Sequence, residues 1–178
     1  MNKIRILPIA ITAALTAAVL FGGWFGYRHY GVEQPLDRVA NAIAGVENAT
    51  VEMGAGSVKI DVKLAPDANI AEVYRKIKQE GSGEIGSKQF ELTADASSNE
   101  RLEKAWSYAL FDVAEAMETR KYSGIRDAMD GLSAHFPGVT ATTDMDEDNV
   151  YISLRDGNAA KFVVLPREPA TLGAWSNA

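Results

Sequence analysis

Hydrophobic and polar positions change their rhythm along this chain. It opens with an uncharged run of 22 residues, Ile6 to Tyr27. A bilayer core about 30 Å thick needs about 20 apolar residues rising 1.5 Å each, so the run predicts a transmembrane helix over residues 6–27. Short amphipathic segments follow. Pro35 opens a helical stripe of Leu36, Val39, Ala40 and Ile43, which Gly45 ends. Val46, Ala49 and Val51, then Val58, Ile60, Val62 and Leu64, alternate with polar residues around Gly54-Ala55-Gly56-Ser57. That pattern predicts a β-hairpin with Lys59, Asp61 and Lys63 on its wet face. Pro66 breaks the strand. Asn69-Ile70-Ala71-Glu72 has the form of a capping box and predicts a helix to about Gln79, its stripe being Ile70, Val73, Tyr74 and Ile77. Phe90, Leu92 and Ala94 alternate as a third strand.

The second half repeats these rhythms. Ser97-Ser98-Asn99-Glu100 is another capping-box pattern, and Leu102, Trp106, Ala109, Leu110, Val113 and Met117 predict a long helix. Ser123-Gly124 interrupts it. A further helix carries Ile125, Met129, Leu132 and Phe136 until Pro137-Gly138. Strands are expected near Val139 to Thr143, Val150 to Leu154 and Phe162 to Leu165. The organisation is then a tail (1–5), a transmembrane helix (6–27), a linker (28–34), an αββαβ module (35–94), a module of long helix, short helix and three strands (95–167) and a loose tail (168–178). The fold class is α+β, with helices packed on antiparallel sheet.

Leu36, Val39, Ile43 and Val46 recur 93 positions later as Met129, Leu132, Phe136 and Val139, and Val58, Ile60 and Val62 recur 92 later as Val150, Ile152 and Leu154. Both copies read helix, glycine, strand, polar turn, strand. Common ancestry and the generic spacing of a helix on a hairpin both account for this. In either case each helix must cover a sheet face. The order of elements over residues 35–94, about a third of the chain, resembles the ring-building motif of membrane-anchored secretion and sporulation ring proteins. Gly45-Val46, Val58-x-Ile60-x-Val62 and Ile70-x-x-Val73 also resemble the alkaline-shock-protein family of envelope-associated bacterial proteins. Both resemblances imply assembly at a membrane, and neither brings a motif of functional residues.

Charge sharpens the picture. Three of the 18 basic residues, Lys3, Arg5 and Arg28, precede residue 31, so the body holds 15 against 24 acidic residues, a balance of −9. Phosphate backbones and anionic lipid repel such a body, which excludes nucleic acid as the expected partner. Lys3 and Arg5 precede the apolar run, while Trp24, Phe25, Tyr27 and Tyr30 stand where an interfacial aromatic belt would. A cleaved signal peptide has a shorter apolar core, about 7–15 residues, ending at small residues. Here the run meets bulky aromatics and Arg28-His29, so a retained anchor is expected, with the C-terminal domain extracytoplasmic. The partners expected are the lipid bilayer, through residues 6–27, and other envelope proteins or the chain itself.

Candidate chemistry is sparse. With no cysteine and two histidines, His29 and His135, thiol chemistry and multi-histidine metal centres are excluded. Gly81-Ser82-Gly83-Glu84-Ile85-Gly86 has dinucleotide-binding glycine spacing, but a helix precedes it and a strand follows, the reverse of the required order, so a flexible loop is expected. Asp144, Asp146 and Asp148 alternate like calcium-loop ligands, yet Asn149 and Arg155 replace the glycine and glutamate such a loop needs, so a solvated acidic turn is expected, with weak extracellular calcium binding as the alternative. His135 closes a helix, where a cation suits the dipole. Asn48-Ala49-Thr50 is a formal glycosylation acceptor, relevant only in a eukaryotic secretory pathway. Glu100 with Glu103, and Glu115 with Glu118, lie on wet helix faces without the apolar surroundings an acid/base pair needs. No catalytic, cofactor or metal residues are therefore expected, and the chain is read as a non-catalytic membrane-anchored scaffold or ring subunit. A tethered ligand-binding sensor, with a pocket between the two helix-hairpin units, is the alternative.

Overall fold

A computed structural model describes residues 6–28 and 34–167. The uncharged run forms helix α1 (Ile6–Arg28). Side chains are described for residues 11–24 of α1, and every one is exposed. Among the described residues no helix is long and apolar enough to cross a membrane, so the span expected over residues 6–27 is not shown. The tails expected at 1–5 and 168–178, and most of the linker, lie outside the described residues.

The predicted αββαβ order is present as α2 (Gln34–Ala42), β1 (Val46–Met53), β2 (Ser57–Leu64), α3 (Ile70–Glu80), a single helical turn α4 (Ser82–Ile85) and β3 (Gln89–Asp95). Asn69 caps α3, its side-chain oxygen accepting the Glu72 N–H at 3.1 Å. Ile70, Val73, Tyr74 and Ile77 then fall on the buried face together with Ala71. Leu36 and Ala40 of α2 are fully buried against the same sheet. One expectation is corrected here. The sheet is mixed, because β2 pairs antiparallel with β1 but parallel with β3. A hairpin return would have kept it antiparallel; the crossover through α3 and α4 brings the chain back to the same end of the sheet, which forces parallel pairing. On the outer edge, the Asn41 side chain accepts the Ala49 N–H at 2.9 Å and donates to the Ala49 carbonyl at 3.3 Å. It occupies a backbone position that another strand could otherwise pair with.

The second unit comprises α5 (Glu100–Glu118), α6 (Ser123–His135) and an antiparallel meander of β4 (Thr140–Met145), β5 (Asn149–Asp156) and β6 (Ala159–Pro166). The α5 cap is Asn99, accepting the Leu102 N–H at 2.8 Å, rather than Ser97 as the S-x-x-E pattern suggested. The buried stripe of α5 is Leu102, Ala105, Ala109, Val113 and Ala116. Leu110, expected in that stripe, is exposed. Small residues form the stripe because α5 meets α6 closely: a Cβ on Gly124 would lie 3.3 Å from the Ala116 Cβ.

The two units are joined through β5. Val150, Ile152 and Leu154 face α5 and α6 in one core, whereas Tyr151 lies with Ala160 and Phe162 in the other, among the side chains of α2, α3 and β1–β3.

Gly45 and Gly138, equivalent in the internal repeat, both hold positive φ, +89° and +93°. Their surroundings differ. A Cβ on Gly45 would lie 2.9 Å from the Ala68 Cβ, whereas on Gly138 the nearest atom is Arg101 Nη2 at 3.9 Å. Gly45→Ala should therefore cost about 3 kcal/mol, strain plus a clash, and Gly138→Ala about 1 kcal/mol, strain alone. Urea denaturation of the full chain in detergent micelles checks the order of the two midpoints.

Candidate functional site

The sequence motifs singled out as candidate chemistry are brought to separate places. Gly81 to Gly86 form the C-cap of α3 and the α4 turn, not a loop, with Ile85 buried. Gly81 is needed for packing, since a Cβ there would lie 2.3 Å from Leu36 Cδ1. His135 sits at the end of α6, its Nε2 2.9 Å from the Tyr108 hydroxyl and its ring centroid 4.5 Å from that of Tyr108. The pair links α5 to α6 at the surface. Glu100 pairs with Lys104 at 2.7 Å. Glu103 accepts from the Ser98 hydroxyl at 2.7 Å and from Lys161 at 2.9 Å, bonds that hold its carboxyl below the usual range.

The acidic turn is built as a joint. Asp146 Oδ1 accepts the N–H groups of Asp148 and Asn149, each at 2.9 Å, and its Oδ2 accepts the Tyr151 hydroxyl at 2.7 Å. Its neighbours turn outward to α3: Asp144 pairs with Arg75 at 3.3 Å and Asp148 with Lys78. The three carboxylates thus serve three different partners. Among the described residues no group of three His, Cys, Asp or Glu could hold a metal ion.

Tyr151 completes the joint. Its ring lies 5.5 Å from that of Tyr74, which lies 5.0 Å from Phe90. Burial pushes the Tyr151 phenol well above its ordinary range, and the hydrogen bond to Asp146 pushes the same way. Partial burial favours protonation of Asp146, but the Tyr151 hydroxyl and the two backbone N–H groups outweigh it and hold the carboxyl below its usual range. Sequence periodicity missed Tyr151, Ser153 and Arg155. An aromatic among the off-face positions of an otherwise alternating strand was the available signal.

Among the described residues, two groups of large apolar side chains stay exposed. One is α1. The other is the outward side of α5, where Phe111 is 80% exposed and Tyr108 and Leu110 also face solvent. Beside it Trp106, Leu110, Met117, Tyr122 and Leu165 line a groove of about 530 Å³.

No family description and no curated protein matches the chain. Among solved structures, the type III secretion system protein EscJ of enteropathogenic E. coli aligns at 22% identity with a TM-score of 0.38, covering 46% of this chain and 56% of EscJ. The chain therefore spans little more than half of EscJ. Two variants of the MamM CTD align at 13% identity with TM-scores of 0.31, covering 39% of this chain and 98% and 96% of theirs. These are partial likenesses of fold.

The joint has a pH signature. Because the folded Asp146 carboxyl titrates below its unfolded value of about 3.9, the stability it contributes is present above that pH and lost as pH falls through the folded value. The thermal midpoint should fall on acidification below about pH 4, and Asp146→Asn should flatten that fall. Tyr151→Phe, which orphans one carboxylate oxygen, should cost about 1–3 kcal/mol at pH 7. Thermal scans of the full chain from pH 2.5 to 7 check both.

Proposed function

We propose that this chain is a membrane-anchored envelope protein acting through protein–protein contacts, as a scaffold or oligomer subunit, without catalysis. The observation that carries the reading is α1. Ile11, Leu15, Val19, Leu20, Phe21 and Trp24 are each more than half exposed, on all sides of the helix. A helix apolar all round is stable only where lipid or protein covers it. The uncharged run of 22 residues from Ile6 to Tyr27 in the sequence supports the same reading. Lys3 and Arg5 ahead of the run favour an N terminus inside and a body outside the cytoplasm.

The body supports the contact role. Phe111, Tyr108 and Leu110 give α5 an apolar outer face, and aromatic residues of this kind commonly anchor protein interfaces. The proposed partners are a second copy of the chain or another envelope protein.

Fractionation tests the anchor: the full chain should sediment with membranes and resist carbonate extraction, and removal of residues 1–30 should release it. Recovery of intact full-length chain in the soluble fraction would overturn the reading. For assembly, light scattering in micelles should give a mass above one protomer, reduced by Phe111→Ser. That substitution, being at an exposed site, should move stability by no more than about 0.5 kcal/mol.

A further inference from the structure

Beside the joint between the two units lies a cleft of about 420 Å³ that the proposed contacts do not use. Its floor is the half of the meander that the first unit leaves uncovered. The register pairs Ser153 with Thr142 and Arg155 with Thr140, so these side chains share the sheet face that looks toward α3. On β6 the same face carries Ala160, Phe162 and Val164, which pack into the first unit's core. On β4 it carries Thr142 and Asp144, and here the cleft opens, roofed by Asp67 to Ala71 at the start of α3.

The lining of this cleft mixes the carboxylates of Asp67 and Asp144 with hydroxyls and the Arg155 guanidinium. Ser153 is 94% buried, at 6% relative exposure. It lines the cleft, and its hydroxyl, which is not one of the buried atoms left without a partner, is open to the cleft's solvent. Arg155 Nη2 donates to the carbonyls of Asp67 at 3.2 Å and Ala68 at 3.1 Å, while its buried Nε has no partner. These bonds hold a guanidinium against the segment that enters α3. Burying a polar group without a partner is costly, and the Arg155 Nε is such a group.

Helix α3 adds its field. The Asn69 side chain satisfies only the Glu72 N–H, and the first helical bond runs from the Val73 N–H to the Asn69 carbonyl. The N–H groups of Ile70 and Ala71, the first two helical positions, have no intrahelical acceptor. Both residues are almost fully buried. They lie in the roof of the cleft, and the positive end of the helix dipole acts on it there. Two carboxylates oppose an anion here. Asp144 is already paired with Arg75, and Asp67 stands exposed at the rim. The buried wall is left with the fixed positive charge of Arg155.

We propose that this cleft binds a small oxyanion, a phosphate or carboxylate group, with the Ser153 and Thr142 hydroxyls and the Arg155 guanidinium as its donors. Such a ligand would take the place of water on the Ser153 hydroxyl and set a negative charge against the Arg155 guanidinium. It would also bridge β4 and β5 to the start of α3 and so tighten the joint between the units.

The test uses the full chain in non-ionic detergent micelles, titrated with inorganic phosphate in one arm and sodium acetate in the other. Sodium chloride at matched ionic strength is the control. Saturable binding in at least one arm, absent with chloride, is expected, and the arm that saturates identifies the source of the oxyanion. Ser153→Ala should weaken that binding about tenfold, the loss of one hydrogen bond to a charged group. It should leave the ligand-free thermal midpoint unchanged or raised, because the hydroxyl it removes is open to the cleft's solvent. Arg155→Gln should abolish binding, and Ser153→Ala keeps the test meaningful should that variant misfold. Non-saturable shifts in both arms, or equal affinity in wild type and Ser153→Ala, would overturn the proposal. So would a Ser153→Ala variant that loses stability without ligand, because the hydroxyl would then be structural.

Discussion

Residues Asn149 to Leu154 of β5 leave almost no surface to water on either side, and the rest of the body is arranged around that fact. A strand buried on one face needs one partner layer; this strand needs two. Val150, Ile152 and Leu154 supply the sheet's share of the core beneath α5 and α6, and Tyr151 enters the core built by α2, α3 and β1–β3. Each fully buried large side chain contributes about 1.5–3 kcal/mol. The two units are therefore tied through a shared strand, in addition to contact at their surfaces.

The polar contacts at the joint are secondary in energy and primary in geometry. Arg75 with Asp144, and Lys78 with Asp148, are pairs whose side chains are all close to half exposed. Such pairs contribute about 0.2–1 kcal/mol each and weaken with salt. The bond from the Tyr151 hydroxyl to Asp146 differs, because its donor is buried and its loss would leave a carboxylate oxygen without that partner. Apolar burial holds the units together, while the turn sets the angle at which α3 meets the meander. The Asp146 carboxylate, tied to two backbone N–H groups of its own turn, is in effect a bracket for the Tyr151 side chain.

Much of this was legible in the sequence where a single period ruled. The α3 stripe and the β1–β2 hairpin followed from spacing alone, since each has one wet face and one buried face. The sequence failed where two constraints acted on one element. In β5 both parities are buried, so Val150, Ile152 and Leu154 signalled a strand but not its second contact. In α5 Leu110 fitted the helical period, but close approach to α6 selected Ala105 and Ala116 for the interior instead. The parallel pairing of β2 with β3 was invisible for a different reason: it depends on where the crossover returns the chain, not on the residues paired. The cleft could not be read either, because Ser153 and Arg155 become neighbours of α3 only after both units have folded.

The internal repeat shows what separates a self-sufficient face from one that needs company. Shifted by 92 positions, Lys59, Asp61 and Lys63 of β2 correspond to Tyr151, Ser153 and Arg155 of β5. In the first copy these off-face positions cross-pair with Glu52, Thr50 and Asn48 on β1 and with Glu91, Thr93 and Asp95 on β3. The result is a charged, hydrogen-bonding surface that water already satisfies, so that side of the first sheet exerts no pull on a partner. In the second copy the same positions have become the seat of the other unit. Hydration thus accounts for one face and internal docking for the other. Phe111 with its neighbours on α5, and the apolar residues of α1, are explained by neither. Their exposed apolar area has no counterpart among the described residues, and the free energy of removing it from water is available only to lipid or to another protein.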